Sequence, residues 1–156
     1  MTKPVAIGSD EAGYRLKGLL IEVLREQGLE VADFGCHSED PVDYPDVAFE
    51  VAEAVARGDH DRGILICGTG IGMSIAANKV PGVRAAQAHD AYSAERARKS
   101  NDAQILALGA RVIGPELAKS IVRTWLQAEF AGGGSARKVS KINAADEALR
   151  HARRST

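Results

Sequence analysis

Five short apolar stretches alternate with longer segments whose apolar residues recur at helical spacing, and this alternation constrains the fold more than any other feature. The stretches lie in PVAIGSDEAG, LEVADFG, RGILICG, VRAAQAH and AQILALG. Between and after them come YRLKGLLIEVLREQG, closed by Gly28, then DYPDVAFEVAEAVARGD with Pro45 in its first turn, IGMSIAANKV, DAYSAERARKSN and GPELAKSIVRTWLQAEF. Strands that are apolar on both faces, each followed by a helix, predict an α/β protein: a parallel sheet covered by helices on both sides. The chain shows no internal repeat. At 156 residues it fits one domain. AGGGS, residues 131–135, reads as a hinge between an α/β core over 1–130 and a C-terminal helix over 136–151. In that helix Val139, Ile142, Ala145 and Leu149 form one apolar stripe, which either docks on a partner subunit or packs on its own domain. The terminal RHARRST reads as a solvated, fraying end.

Several function classes are excluded. A net charge of -1 supplies no field for nucleic acid or an acidic membrane. No apolar run approaches the roughly 20 residues of a membrane span, and MTKPVAIGSD is not a signal peptide. Two cysteines, Cys36 and Cys67, make no disulfide framework, so a reducing, cytoplasmic setting is expected. No cluster has the spacing of metal ligands, and no cofactor is expected. Gly68 and Gly70 begin a dinucleotide-like pattern, but its third position is Met73 and the loop follows the third strand. A phospho-receiver needs an aspartate where Cys67 stands.

In open α/β sheets ligands bind at the carboxyl ends of the strands. Ser9, Asp10 and Glu11 follow the first strand; Cys67, Gly68, Thr69 and Gly70 the third; His89 and Asp90 the fourth; Gly109 and Arg111 the fifth. These groups are expected on one edge. The loop Gly68, Thr69, Gly70, Ile71, Gly72 leads into a helix start, where unpaired N–H groups cradle an anion or a developing oxyanion. A helix start also favours a thiolate at Cys67. The plainer reading makes Cys67 a small buried hydrophobe and Thr69 an N-cap.

GSDEAGYRLK, DYPDVA, ICGTGIGMSIAANKVPGVRAA, SNDAQILALGARVIGPELA and WLQAEF together resemble the type B ribose-5-phosphate isomerase and galactose-6-phosphate isomerase family over nearly the whole chain. The resemblance implies a Rossmann-like three-layer sandwich with a five-stranded sheet, a phosphorylated sugar as substrate, no metal, and a homodimer, or a tetramer built from it, with sites at the subunit interface. It implies aldose–ketose isomerisation through a cis-enediolate, with Cys67 as base, Thr69 beside it and the glycine loop on the enediolate oxygens. Another branch has glycine at the cysteine and glutamate at Met73, so here Cys67 is the one candidate base of the loop. Asp10 and Asn101 match residues that hold sugar hydroxyls, Tyr44 a residue of the site wall, and Arg111 a phosphate-binding arginine.

The departures concern the substrate. The pentose enzymes of the family carry DHAG where this chain has DEAG, so Glu11 replaces a histidine that approaches the phosphate. They carry HN where Ser100 and Asn101 stand, and that histidine helps open the furanose ring. Two C-terminal phosphate arginines fall at Gly134 and Lys138, with Arg137 adjacent. A tetrose phosphorylated on O4 cannot close a furanose and needs no ring-opening acid. The run AHDAYSAERARKSNDAQ also resembles the D-erythrulose-4-phosphate isomerase branch, which has His89, Asp90 and Ser100 at matching places. Two other readings stay open: His89 takes over ring opening and pentoses are used, or the chain is a silent sugar-phosphate-binding subunit.

Overall fold

The computed structural model describes residues 3–155. Its strands are β1 (Val5–Ser9), β2 (Val31–Asp33), β3 (Gly63–Cys67), β4 (Ala85–Gln87) and β5 (Ile105–Gly109). Its helices are α1 (Tyr14–Glu26), α2 (Tyr44–Ala56), α3 (Ile71–Asn78), α4 (Ala91–Lys99), α5 (Pro115–Gln127) and α6 (Gly134–Arg154), with a single 3₁₀ turn at Glu11–Gly13. The strands form one parallel sheet in the order β2-β1-β3-β5-β4. This is the Rossmann-like three-layer arrangement expected.

Side chains of successive strand residues point to opposite faces, and the apolar residues divide accordingly. Val5, Ile7, Ile64, Ile66, Leu106 and Leu108 pack under α1, α4 and α5. Ala6, Leu65, Cys67, Ile105 and Ala107 pack under α2 and α3. Every residue of β1, β3 and β5 is buried, as predicted for strands covered on both sides. The prediction fails for β2 and β4, which have three residues each and end exposed. They are the sheet edges, with one neighbour apiece and less cover.

Two buried cations hold the frame. Arg62 donates to the carbonyls of Trp125, Leu126 and Ala128, closing the carboxyl end of α5, and lies over the Trp125 ring. Lys17, 2% exposed, donates to Asp33 at 2.6 Å and to the Cys36 carbonyl at 2.7 Å, so α1 grips the segment after β2. Both cysteines are free, with Cys36 Sγ 3.8 Å from Ser9 Oγ.

The tail departs from expectation. α6 begins at Gly134, so the connection shortens to Ala131–Gly133, with Gly132 and Gly133 at φ 69° and 58°. It continues to Arg154 rather than ending at 151, with Arg153 and Arg154 in the last turn opposing the negative carboxyl end of the helix dipole; Thr156 lies outside the described residues. Of the apolar stripe only Val139 is buried, while Ile142 and Leu149 are exposed. Among the described residues no helix is long and apolar enough to cross a membrane.

Candidate active site

From β1 the chain winds outward to β2, then returns to β3 on the other side of β1 and builds β5 and β4 from there. The segments after β1 and β3 leave toward opposite faces, α1 on one and α3 on the other. A crevice opens at such a switch point. Asp10 stands on one lip and Cys67 on the other, stitched together where the Asp10 N–H donates to the Ile66 carbonyl at 3.2 Å.

Cys67 is 5% exposed and is the last residue of β3. Its Sγ accepts the Gly70 N–H at 3.1 Å. Gly70 is the N-cap of α3 and sits at φ 78°, a backbone that turns the loop sharply into the helix and suits glycine. Thr69 is therefore not the N-cap. Its Oγ1 accepts the Ile71 N–H at 3.2 Å, bracing the turn from outside. The expected anion cradle has thus already engaged two of its N–H groups, Gly70 on sulfur and Ile71 on a hydroxyl.

β5 lies directly under this loop. A Cβ on Gly109 would stand 2.7 Å from the C, Cα and O atoms of Thr69, so only glycine permits the approach. The Gly109 N–H donates to His89 Nε2 at 2.9 Å. That nitrogen is therefore an acceptor, and a proton on the neutral ring sits on Nδ1. From β4, Gln87 Nε2 donates to the Thr69 carbonyl at 2.7 Å. Sequence reading passed over Gln87. The signal available was period two in VRAAQAH, which puts polar Gln87 and His89 on the same face as Val83 and Ala85.

The remaining lip residues carry charge. Asp10 accepts the Gly13 N–H at 3.2 Å. Burial raises its pKa above the usual carboxylate value and Glu11 adds to this, against the Gly13 and Ala12 N–H groups and the Arg111 charge. Glu11 Oε2 accepts the Val42 N–H at 3.1 Å, which holds its pKa below the usual value. Arg111 is exposed, with Nη1 close over Gly68. Tyr44, first residue of α2, lays its ring against Gly72, where a Cβ would come within 2.4 Å of it. Asp90 caps α4 by accepting the Ser93 N–H at 2.7 Å. Among the described residues no group of His, Cys, Asp and Glu is placed to hold a metal.

Ser100 and Asn101 do not join this constellation within one chain. α4 starts beyond the carboxyl end of β4 and runs back, so its last turn reaches the amino edge of the sheet. There Arg84, just before β4, donates to the carbonyls of Asn101 and Asp102. Ser100 Oγ accepts Arg96 Nε at 2.9 Å. The tail starts from the same edge, its Ala131 N–H on the Lys99 carbonyl and Asn143 of α6 on Arg84. Arg137 and Lys138 are exposed on the opening turns of α6.

The family model described as Ribose/Galactose Isomerase matches residues 5–142. The chain is 58% identical over 149 residues to a protein of Pectobacterium atrosepticum named D-erythrulose-4-phosphate isomerase, covering 94% of this chain and 97% of that one. It is 57% identical over 143 residues to a Ribose-5-P isomerase B of Listeria innocua, covering 92% and 97%. The solved ribose-5-phosphate isomerase B of Clostridium thermocellum superposes with a TM-score of 0.92 at 54% identity, covering 94% of this chain and 99% of that one.

Proposed function

The chain belongs to the ribose/galactose isomerase family, whose members interconvert aldose and ketose sugar phosphates, and from that premise we propose that its substrate pair is D-erythrulose 4-phosphate and D-erythrose 4-phosphate, with Cys67 as the base. The Cys67 thiolate takes the proton from the carbon beside the carbonyl. The thiol so formed returns it to the neighbouring carbon, while a hydroxyl proton passes between the two oxygens. No bond other than C–H and O–H changes partners. Asp10 holds substrate hydroxyls at the opposite lip and Arg111 the phosphate.

The observation that carries the substrate choice is the pair Glu11 and Ser100. Glu11 is ionised, fixed by Val42 N–H near Arg111, and would repel a phosphate bound there in the pentose manner. Ser100 is taken up by Arg96 and offers no titrating acid for ring opening. A second reading keeps ribose 5-phosphate as substrate. It is favoured by the relatives named for that sugar, and it needs His89 Nδ1 as the acid, because Nε2 is engaged.

The active unit in this reading is a homodimer. Asn101, Arg137 and Lys138 leave the amino edge of the sheet, whereas Cys67 and Asp10 stand at the carboxyl edge. One substrate meets both sets only if a second protomer brings its amino edge to the first protomer's crevice. The exposed Ile71 and Ile75 on α3, beside the crevice, supply apolar surface for it.

A side-by-side steady-state assay tests the proposal. kcat/KM for the tetrose phosphate is expected to exceed that for ribose 5-phosphate at least about tenfold, or ~1.4 kcal/mol of differential transition-state binding. Cys67→Ser is expected to lose activity on both by orders of magnitude. Equal rates, or a pentose preference, would return the assignment to the second reading. A Ser variant keeping more than about a tenth of the activity, ~1.4 kcal/mol, would remove Cys67 from the role of base.

A further inference from the structure

We propose that Gln87 is a positioning residue that sets the reactivity of Cys67 through one peptide unit, a proposal that rests on the reading of Cys67 as base. The unit is Thr69–Gly70. Its carbonyl accepts from Gln87 Nε2 at 2.7 Å, and its N–H donates to Cys67 Sγ at 3.1 Å. A trans peptide is planar, with C=O and N–H pointing in opposite directions. Fixing the carbonyl on the Gln87 side therefore aims the N–H at the sulfur.

The clamp is needed because of Gly70. A peptide rotates as a unit when the ψ before it and the φ after it change together, and glycine accepts either sign of φ. The residue that makes this turn possible also leaves the peptide free to swing its N–H off the sulfur. Gln87 holds it from outside. Gln87 has no other evident reason to be an amide: it is exposed on the edge strand β4 and outside both apolar cores. Its neighbour two residues on braces the same place from below, since His89 accepts the Gly109 N–H and Gly109 lies against Thr69. Gln87 of β4 and His89 just beyond it thus hold the Cys67 loop from across β5.

The test uses the full chain in a Cys36→Ser background, so that iodoacetamide reports Cys67 alone. Gln87→Leu removes the donor. Gln87→Glu keeps the size but turns a carboxylate toward the Thr69 carbonyl. Alkylation near neutral pH is expected to slow about fivefold in the Leu variant, the worth of one ordinary hydrogen bond, and further in the Glu variant. Both are expected to reach the unsubstituted rate at high pH, where the thiol ionises regardless. The acidic limb of kcat/KM moves to higher pH, and kcat falls while KM for erythrulose 4-phosphate changes less than about twofold. Wild-type alkylation rates and pH course in both variants would overturn the proposal. Should Cys67→Ser stay active while the Gln87 variants alkylate slowly, Gln87 still positions the thiol and only the assignment of the base fails.

Discussion

Replacing Gly109 by alanine presses on the candidate site from beneath. The added Cβ would stand 2.7 Å from three backbone atoms of Thr69, about 0.7 Å short of ordinary contact. Backbone cannot swing aside as the end of a side chain can. Gly109 itself is pinned, paired with Cys67 in the sheet and bonded to His89 through its N–H. The loop must therefore lift by a comparable distance. That lift stretches the Gly70 N–H to Cys67 Sγ bond and the Gln87 to Thr69 bond together. Overpacking of this kind destabilises by about 1–3 kcal/mol. Misplacing a reacting group by about 1 Å costs on the order of 10²-fold in rate. The two effects separate in assay: urea unfolding reads the first, steady-state kcat with erythrulose 4-phosphate the second. Gly18→Ala serves as the control, because it lies within α1 with open space around it. It is expected to stabilise by about 0.5–1 kcal/mol and leave kcat unchanged. A Gly109→Ala enzyme with kcat within about twofold of wild type and undiminished stability would show that the loop yields freely, and the account of a fixed base loop would fall.

Three further outcomes follow from the same geometry. Mixing Cys67→Ser with Asn101→Ala protomers, each poor alone, is expected to restore up to about a quarter of the wild-type sites, since random pairing makes half the dimers mixed and each of these holds one intact site; no recovery after exchange would refute the shared site. Truncation after Ala131, which removes α6, is expected to weaken the dimer and raise KM, with light scattering and kinetics as the readouts; an unchanged active dimer would count against the proposed role of the tail. Asp33→Asn is expected to destabilise by about 2 kcal/mol at neutral pH, a value discounted because Asp33 is 36% exposed while Lys17 is not. Burial opposes Asp33 ionisation, but the bonds from Lys17 and the Gly35 N–H outweigh it and lower its pKa from 3.8. This contribution is present above 3.8 and disappears as pH falls below it, so the Tm gap between the two proteins should narrow only there. A gap that stays constant down to about pH 2 would refute the pairing.

How much could be read before folding follows from the range of each interaction. Helix and strand periods are local, so the βα alternation, the parallel sheet and the strand-to-helix junction at Cys67 were legible in the chain itself. So was the convergence of Asp10, Cys67, His89 and Gly109, because parallel strands put all their carboxyl ends on one edge. Strand order is not local. That β5 lies between β3 and β4 decides that Gly109 supports Thr69 and that Gln87 reaches its carbonyl, and no spacing in VRAAQAH encodes it. Which strands are edges, and so half-exposed, was hidden for the same reason. Ser100 and Asn101 stand in sequence between site residues, yet α4 carries them to the far edge, since a crossover helix must return the chain to the start of the next strand. The loop N–H groups read as free for an anion from Gly68 to Gly72. Only folding brought the Cys67 and Thr69 side chains back onto two of them, because a hydrogen bond made within three residues depends on torsions that glycine leaves open until the surrounding strands close around it.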